Sequence, residues 1–137
     1  RIYSLPRFMS FASDMRKYAE KQKRNLDEVA SESLIDLSAS VIIKTPVKTG
    51  HLANNWQPTS DAPATGVIQD ANSSGQMQKV EQAIGASLGG VYYLVNNQPY
   101  ARPIEFLGHS QKAPAGMLRI SIESYQKFID NSISNLK

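Results

Sequence analysis

Glu105 and His109 stand four residues apart, a spacing that would set both side chains on one helix face. A carboxylate beside an imidazole is a workable general-base pair. With His51 they would also supply three ligands to a zinc ion, although no HExxH pattern accompanies them. A hydrolytic site needs more, namely a nucleophile, an oxyanion donor set or a metal. Ser110 follows His109 directly and is poorly placed to be activated by it. Pro103 and Gly108 disturb a helix starting before Ile104 or ending after it. The reading that survives is a surface turn in which Glu105 caps or pairs with a cation. Catalysis by Glu105 and His109 is the remote alternative, and no catalytic residue is assigned.

Other chemistries have less support. The chain has no cysteine, which removes disulfides, thiolate catalysis and Cys-built zinc sites. There is no GxxxxGKS/T and no GxGxxG after a strand, so nucleotide binding is not expected. No cofactor and no metal are expected. No apolar run approaches the roughly 18 residues that a bilayer demands, and no membrane partner is expected. The N-terminal stretch lacks the uninterrupted apolar core of a signal peptide.

The positive charge is localised. Of the 15 Lys/Arg and 12 Asp/Glu, nine and six lie in residues 1–50, which therefore hold the whole +3 excess. It concentrates in Arg16, Lys17, Lys21, Lys23 and Arg24. Such a cluster suits nucleic acid or an acidic protein surface. It also suits a solvated helix face, which the interleaved acids and the lack of aromatic stacking partners favour.

The elements that must carry these residues follow from periodicity. With 137 residues, 41% apolar and 20% charged, the chain has the material for one globular domain. Phe8, Phe11, Met15, Tyr18, Leu26, Val29, Leu34, Leu37 and Val41 recur at steps near three and four. They predict a long helix over about 8–44, with a weak point near Asn25, where Asn25 and Glu28 have capping-box spacing. Thr45 before Pro46 ends it, and Gly50 permits a turn. A strand near 55–58 holds Trp56 as a core anchor, and Val67–Gln69 begins another. Met77, Val80 and Ile84 read as a helix within an excursion over 70–90, and "VYYLVNN" reads as a strand ending at Asn96. Sheet and loops thus occupy about 50–121. The alternation of Leu118, Ile120 and Ile122 predicts an extended entry over 117–121, followed by a helix over about 122–135. The sum is a single α+β domain: a long N-terminal helix and a C-terminal helix packed on a small, mainly antiparallel sheet.

Three segments in order carry a resemblance: "TPVKTGHLANNW" (45–56), "YLVNNQPYARPIEF" (93–106) and "QKAPAGMLR" (111–119). Together they resemble a family of small bacteriophage neck proteins, the head–tail joining or tail-completion proteins of long-tailed phages. The family motif falls on Thr45, Pro46, Thr49, Gly50, Leu52, Trp56, Asn96, Gly108, Pro114 and Gly116. Lys48 stands where the family usually has Asp, and Leu107 lengthens the turn between Phe106 and Gly108. The resemblance implies a non-enzymatic virion protein, assembled in the bacterial host cytoplasm. It implies a homo-oligomeric ring, a hexamer, joining the head connector or head-closure ring to a tail-terminator or tail-tube ring. A closed ring uses heterologous contacts, and aromatic and Arg-bearing loops suit them. Tyr100, Arg102, Ile104, Glu105, Phe106 and His109 are the interface candidates, with core packing the alternative for Tyr100 and Phe106. Asn96 and Gly108 shape turns. The basic helix face would meet a partner or passing DNA. A tail-terminator or minor tail component, or a small nucleic-acid-binding protein, is the alternative function.

Overall fold

The computed structural model describes residues 4–47, 50–72, 74–108 and 110–136, with side chains from residue 10 onward. His109, Lys48 and Thr49 lie outside the described residues. The chain forms α1 (Ser4–Lys44), α2 (His51–Asn54), β1 (Gln57–Thr59), α3 (Gln76–Ser87), β2 (Tyr93–Val95), α4 (Ala101–Leu107), α5 (Leu118–Glu123) and α6 (Tyr125–Ser134). This is the expected mixed architecture, with a long N-terminal helix, C-terminal helices and a small antiparallel sheet.

α1 is one uninterrupted helix of 41 residues, so Asn25 neither caps nor breaks it. At about 1.5 Å per residue it spans roughly 60 Å. From residue 10 on, no α1 residue is buried before Ser33; Ser33, Ser38 and Val41 then turn inward. α1 packs chiefly on α6, then on α3 and α5. Small residues make this close approach possible: Ser40 and Ser121 share a 2.9 Å hydroxyl hydrogen bond across α1 and α5, and Ser132 of α6 is buried. The N-terminal half of α1 stands clear of the body.

The core sits where α1 ends. Val41, Leu52, Trp56, Ala113 and Met117 form it, with Leu37, Leu94 and Ile104 packed against it. Trp56 is the anchor that its place in the sequence suggests. Its indole Nε1–H donates to Thr45 Oγ1 at 2.8 Å, and the Thr45 hydroxyl donates to the Val41 carbonyl at 2.7 Å. Thr45 has no exposed surface. Thus the threonine before Pro46 both closes the last turn of α1 and satisfies the only tryptophan.

The sheet is smaller than expected. β1 and β2 pair antiparallel, with Pro58 opposite Leu94, and Val67–Gln69 adds no third strand. The reason is a side chain that imitates a strand. Asn55 Nδ2–H donates to the Ile68 carbonyl at 2.9 Å while Asn55 Oδ1 accepts the Ile68 N–H at 2.7 Å. Ile68 therefore has its backbone partners without joining the ladder. Asn97 Nδ2 donates to the Ala64 and Gly66 carbonyls at 2.9 and 3.0 Å, and Gln76 Nε2 reaches the Ala53 and Trp56 carbonyls. These amides tie the 60–72 loop to the Trp56 segment and to the end of β2, and α3 to the Trp56 segment.

The C-terminal region departs most from its pattern. Met117–Ser121 is not extended; α5 already runs from Leu118, and α6 follows after a break at Ser124. The alternation of Leu118, Ile120 and Ile122 is overridden because the first N–H groups of α5 receive an anion from elsewhere in the chain.

Candidate interaction surface around Phe106

That anion is Glu105. Its Oε2 accepts the Met117 and Leu118 N–H groups at 2.5 and 2.8 Å. Its Oε1 accepts the Arg119 N–H at 2.8 Å and the Arg119 Nε–H at 3.2 Å, an ion pair. Arg119 Nη2 also donates to the Glu105 carbonyl. A helix start carries free N–H donors and partial positive charge, both of which a carboxylate satisfies. Burial alone would raise the Glu105 pKa. The backbone donors of Arg119, Leu118 and Met117, with the Arg119 side chain, outweigh it and hold the carboxyl below its ordinary value.

Glu105, expected at a surface turn, is therefore only 7% exposed, lies on α4 and caps α5. The capping and ion-pairing role suggested by the sequence is played, but inside the fold. A carboxylate held by four intrachain donors is a structural anion inside the fold. Ile104, from the same candidate set, packs on the core. Pro103 does not prevent α4 from starting at Ala101, because it falls in the first turn, where a missing N–H costs no helical bond. Gly108 closes α4 at φ 63°.

The inward turn of Glu105 sends its neighbours outward. Phe106 is 53% exposed, and Leu107, Arg102 and Tyr100 are exposed with it. Two guanidinium groups hold the Phe106 ring, Arg119 at 4.7 Å and Arg102 at 5.2 Å from its centroid. Both fall within cation–π range. The arginines thereby orient an aromatic side chain that would otherwise be free in solvent. Beside it opens a groove of about 280 Å³ lined by Trp56, Leu94, Asn96, Arg102, Phe106 and Leu118. Asn96 shapes its rim, donating through Nδ2 to the Leu52 carbonyl at 2.9 Å and accepting the Gln98 N–H at 3.1 Å.

Sequence reasoning misses Arg119, the residue that touches both Glu105 and Phe106. It lies within the third motif, "QKAPAGMLR", but nothing local signals its partner, which is 14 residues earlier. Of the other motif residues, Gly50 takes φ 88° at the start of α2, Leu52 is buried and Pro114 is exposed. His51 bonds the Gln69 carbonyl at 2.9 Å through Nε2. Among the described residues, no group of three His, Cys, Asp or Glu is placed to hold a metal, and no helix is long and apolar enough to cross a membrane.

The basic cluster lies elsewhere. Arg16, Lys17, Lys21, Lys23 and Arg24 are all exposed on the clear half of α1. At 100° per residue, Glu20, Asp27 and Glu28 fall on that same side. The face is mixed in sign, which weakens it as a phosphate track.

A scan against protein-family models finds no match for the chain, and searches of curated proteins and of solved structures find none either.

Proposed function

We propose that the chain is a structural subunit of a phage head–tail junction, a neck or tail-completion protein that closes into a homo-oligomeric ring. The three ordered motifs suggest this reading. The observation that carries it is the exposed Phe106 beside an open groove, flanked by two arginines and mounted on a helix whose other face is fixed by the buried Glu105 carboxylate. Exposed aromatic and arginine side chains at the edge of a groove suit protein contact, because they supply contact area and directional hydrogen bonds. In a ring, the Phe106 side of one subunit meets a different surface of its neighbour, with connector or head-closure and tail-side rings above and below.

A ring subunit travels with the particle. Particles purified from the host and subjected to quantitative mass spectrometry should contain the chain in a small fixed multiple, six for a hexamer. Its absence from particles, with the chain left as a cytosolic monomer, would reject the proposal. DNA passing through such a ring would meet at most weak positive charge from α1. Substituting Lys21, Lys23 and Arg24 by Gln should leave particle incorporation intact.

A further inference from the structure

The clear half of α1 carries an apolar face that no element among the described residues covers. Phe11 is 64% exposed, Met15 53%, Tyr18 62% and Leu26 71%. Solvated faces of single helices are normally polar, so a stripe of this kind marks a contact. On a heptad with Met15, Gln22 and Val29 at a, Phe11, Tyr18 and Asn25 fall at d and Ala12, Ala19 and Leu26 at e, so the apolar seam is centred on Phe11, Met15 and Tyr18, with Leu26 on its edge. Asp14, Lys21 and Glu28 occupy g, flanking the seam.

We propose that two copies of this chain pair through α1 as an antiparallel, two-fold helix pair centred between Met15 and Tyr18. The flanking charges select both partner and register. Antiparallel helices bring g positions of the two chains together. With Met15 of one copy against Tyr18 of the other, Asp14 of each copy faces Lys21 of the other, giving two attractive pairs by symmetry. Sliding the pair by one heptad one way sets Lys21 against Lys21 and Asp14 against Glu28. Sliding it the other way sets Asp14 against Asp14. Each shifted register is repulsive. A parallel pair would place these g charges beside Ala19 and Leu26, with no charge partner. The sequence is thus self-complementary in one arrangement. The pairing leaves Arg16, Lys17, Lys23 and Arg24 on the outer flanks. It concerns the free chain, uses α1 and not the Phe106 surface, and does not depend on the ring reading.

The test is sedimentation of the full chain and of two single charge reversals, Asp14→Lys and Lys21→Asp. Both positions are exposed, so circular dichroism suffices to check that each variant folds. The natural chain should sediment as a concentration-dependent dimer in the micromolar range. Each reversal should weaken that dimer about tenfold, since two attractive pairs become repulsive. Mixing the two variants should restore it, because a mixed pair sets two cations of one chain against two carboxylates of the other. A natural chain monomeric throughout, or an oligomer indifferent to the reversals and to their mixing, would overturn the proposal.

Discussion

A Cβ on Gly116 would stand 2.7 Å from the Glu105 carbonyl oxygen and 2.9 Å from its carboxyl carbon. The two residues are a matched set: Gly116, at φ 92°, leaves the space through which Glu105 reaches the start of α5. A methyl group there meets both backbone and side chain, in a conformation that L residues rarely adopt. Gly116→Ala should therefore destabilise the fold by roughly 2–4 kcal/mol. Urea unfolding followed by circular dichroism measures it, and an effect near zero would show that the cap is unimportant.

Glu105 itself supplies a pH signature. Its folded pKa is lowered, so the unfolded chain holds the proton more tightly than the folded one. Its contribution is complete above the ordinary value of 4.5 and is lost as pH falls through the lower folded value. Glu105→Gln should cost about 1–3 kcal/mol at neutral pH, where a charged acceptor of buried donors is lost. The gap between the two proteins should narrow on acidification. Unfolding midpoints at a series of pH values would show this, and a pH-independent gap would contradict it.

The contact between Thr45 and Trp56 makes a third case. Thr45→Val keeps the shape but leaves the Trp56 Nε1–H buried without its acceptor. The expected cost is about 1–3 kcal/mol, with Thr45→Ser retaining most of the stability. The sole tryptophan reports directly, since its fluorescence follows unfolding without labels.

Much of this is legible in the sequence, and the exceptions share a cause. Local periodicity marks α1, α3 and the Trp56 anchor, because a repeating apolar pattern is a property of neighbouring residues. The Thr45–Pro46 stop and the Gly108 turn are visible for the same reason. What escapes are partnerships across the chain. The Asn55 side chain replaces a strand for Ile68 over 13 residues. Glu105 turns an alternating segment into the helix α5 from 12 residues away. Arg119 has no local cue at all, since only folding brings it over Phe106. The continuity of α1 through Asn25 shows the converse: a capping-box spacing does not break a helix when the flanking turns continue it.

For the proposed contact, Phe106→Ala and Arg102→Ala should separate stability from assembly. Both side chains are exposed, so unfolding free energies should change by less than about 1 kcal/mol. Incorporation into particles, read by immunoblot of purified virions, should fall sharply. Normal incorporation of both variants would remove Phe106 and Arg102 from the interface.

The most direct measurement is photo-crosslinking from position 106 in assembled particles, with a benzophenone amino acid replacing Phe106. Adducts to an adjacent subunit, identified by peptide mass spectrometry and absent from the dilute free chain, are predicted. An exposed probe that captures no polypeptide in intact particles would contradict the claim that this surface exists to meet one.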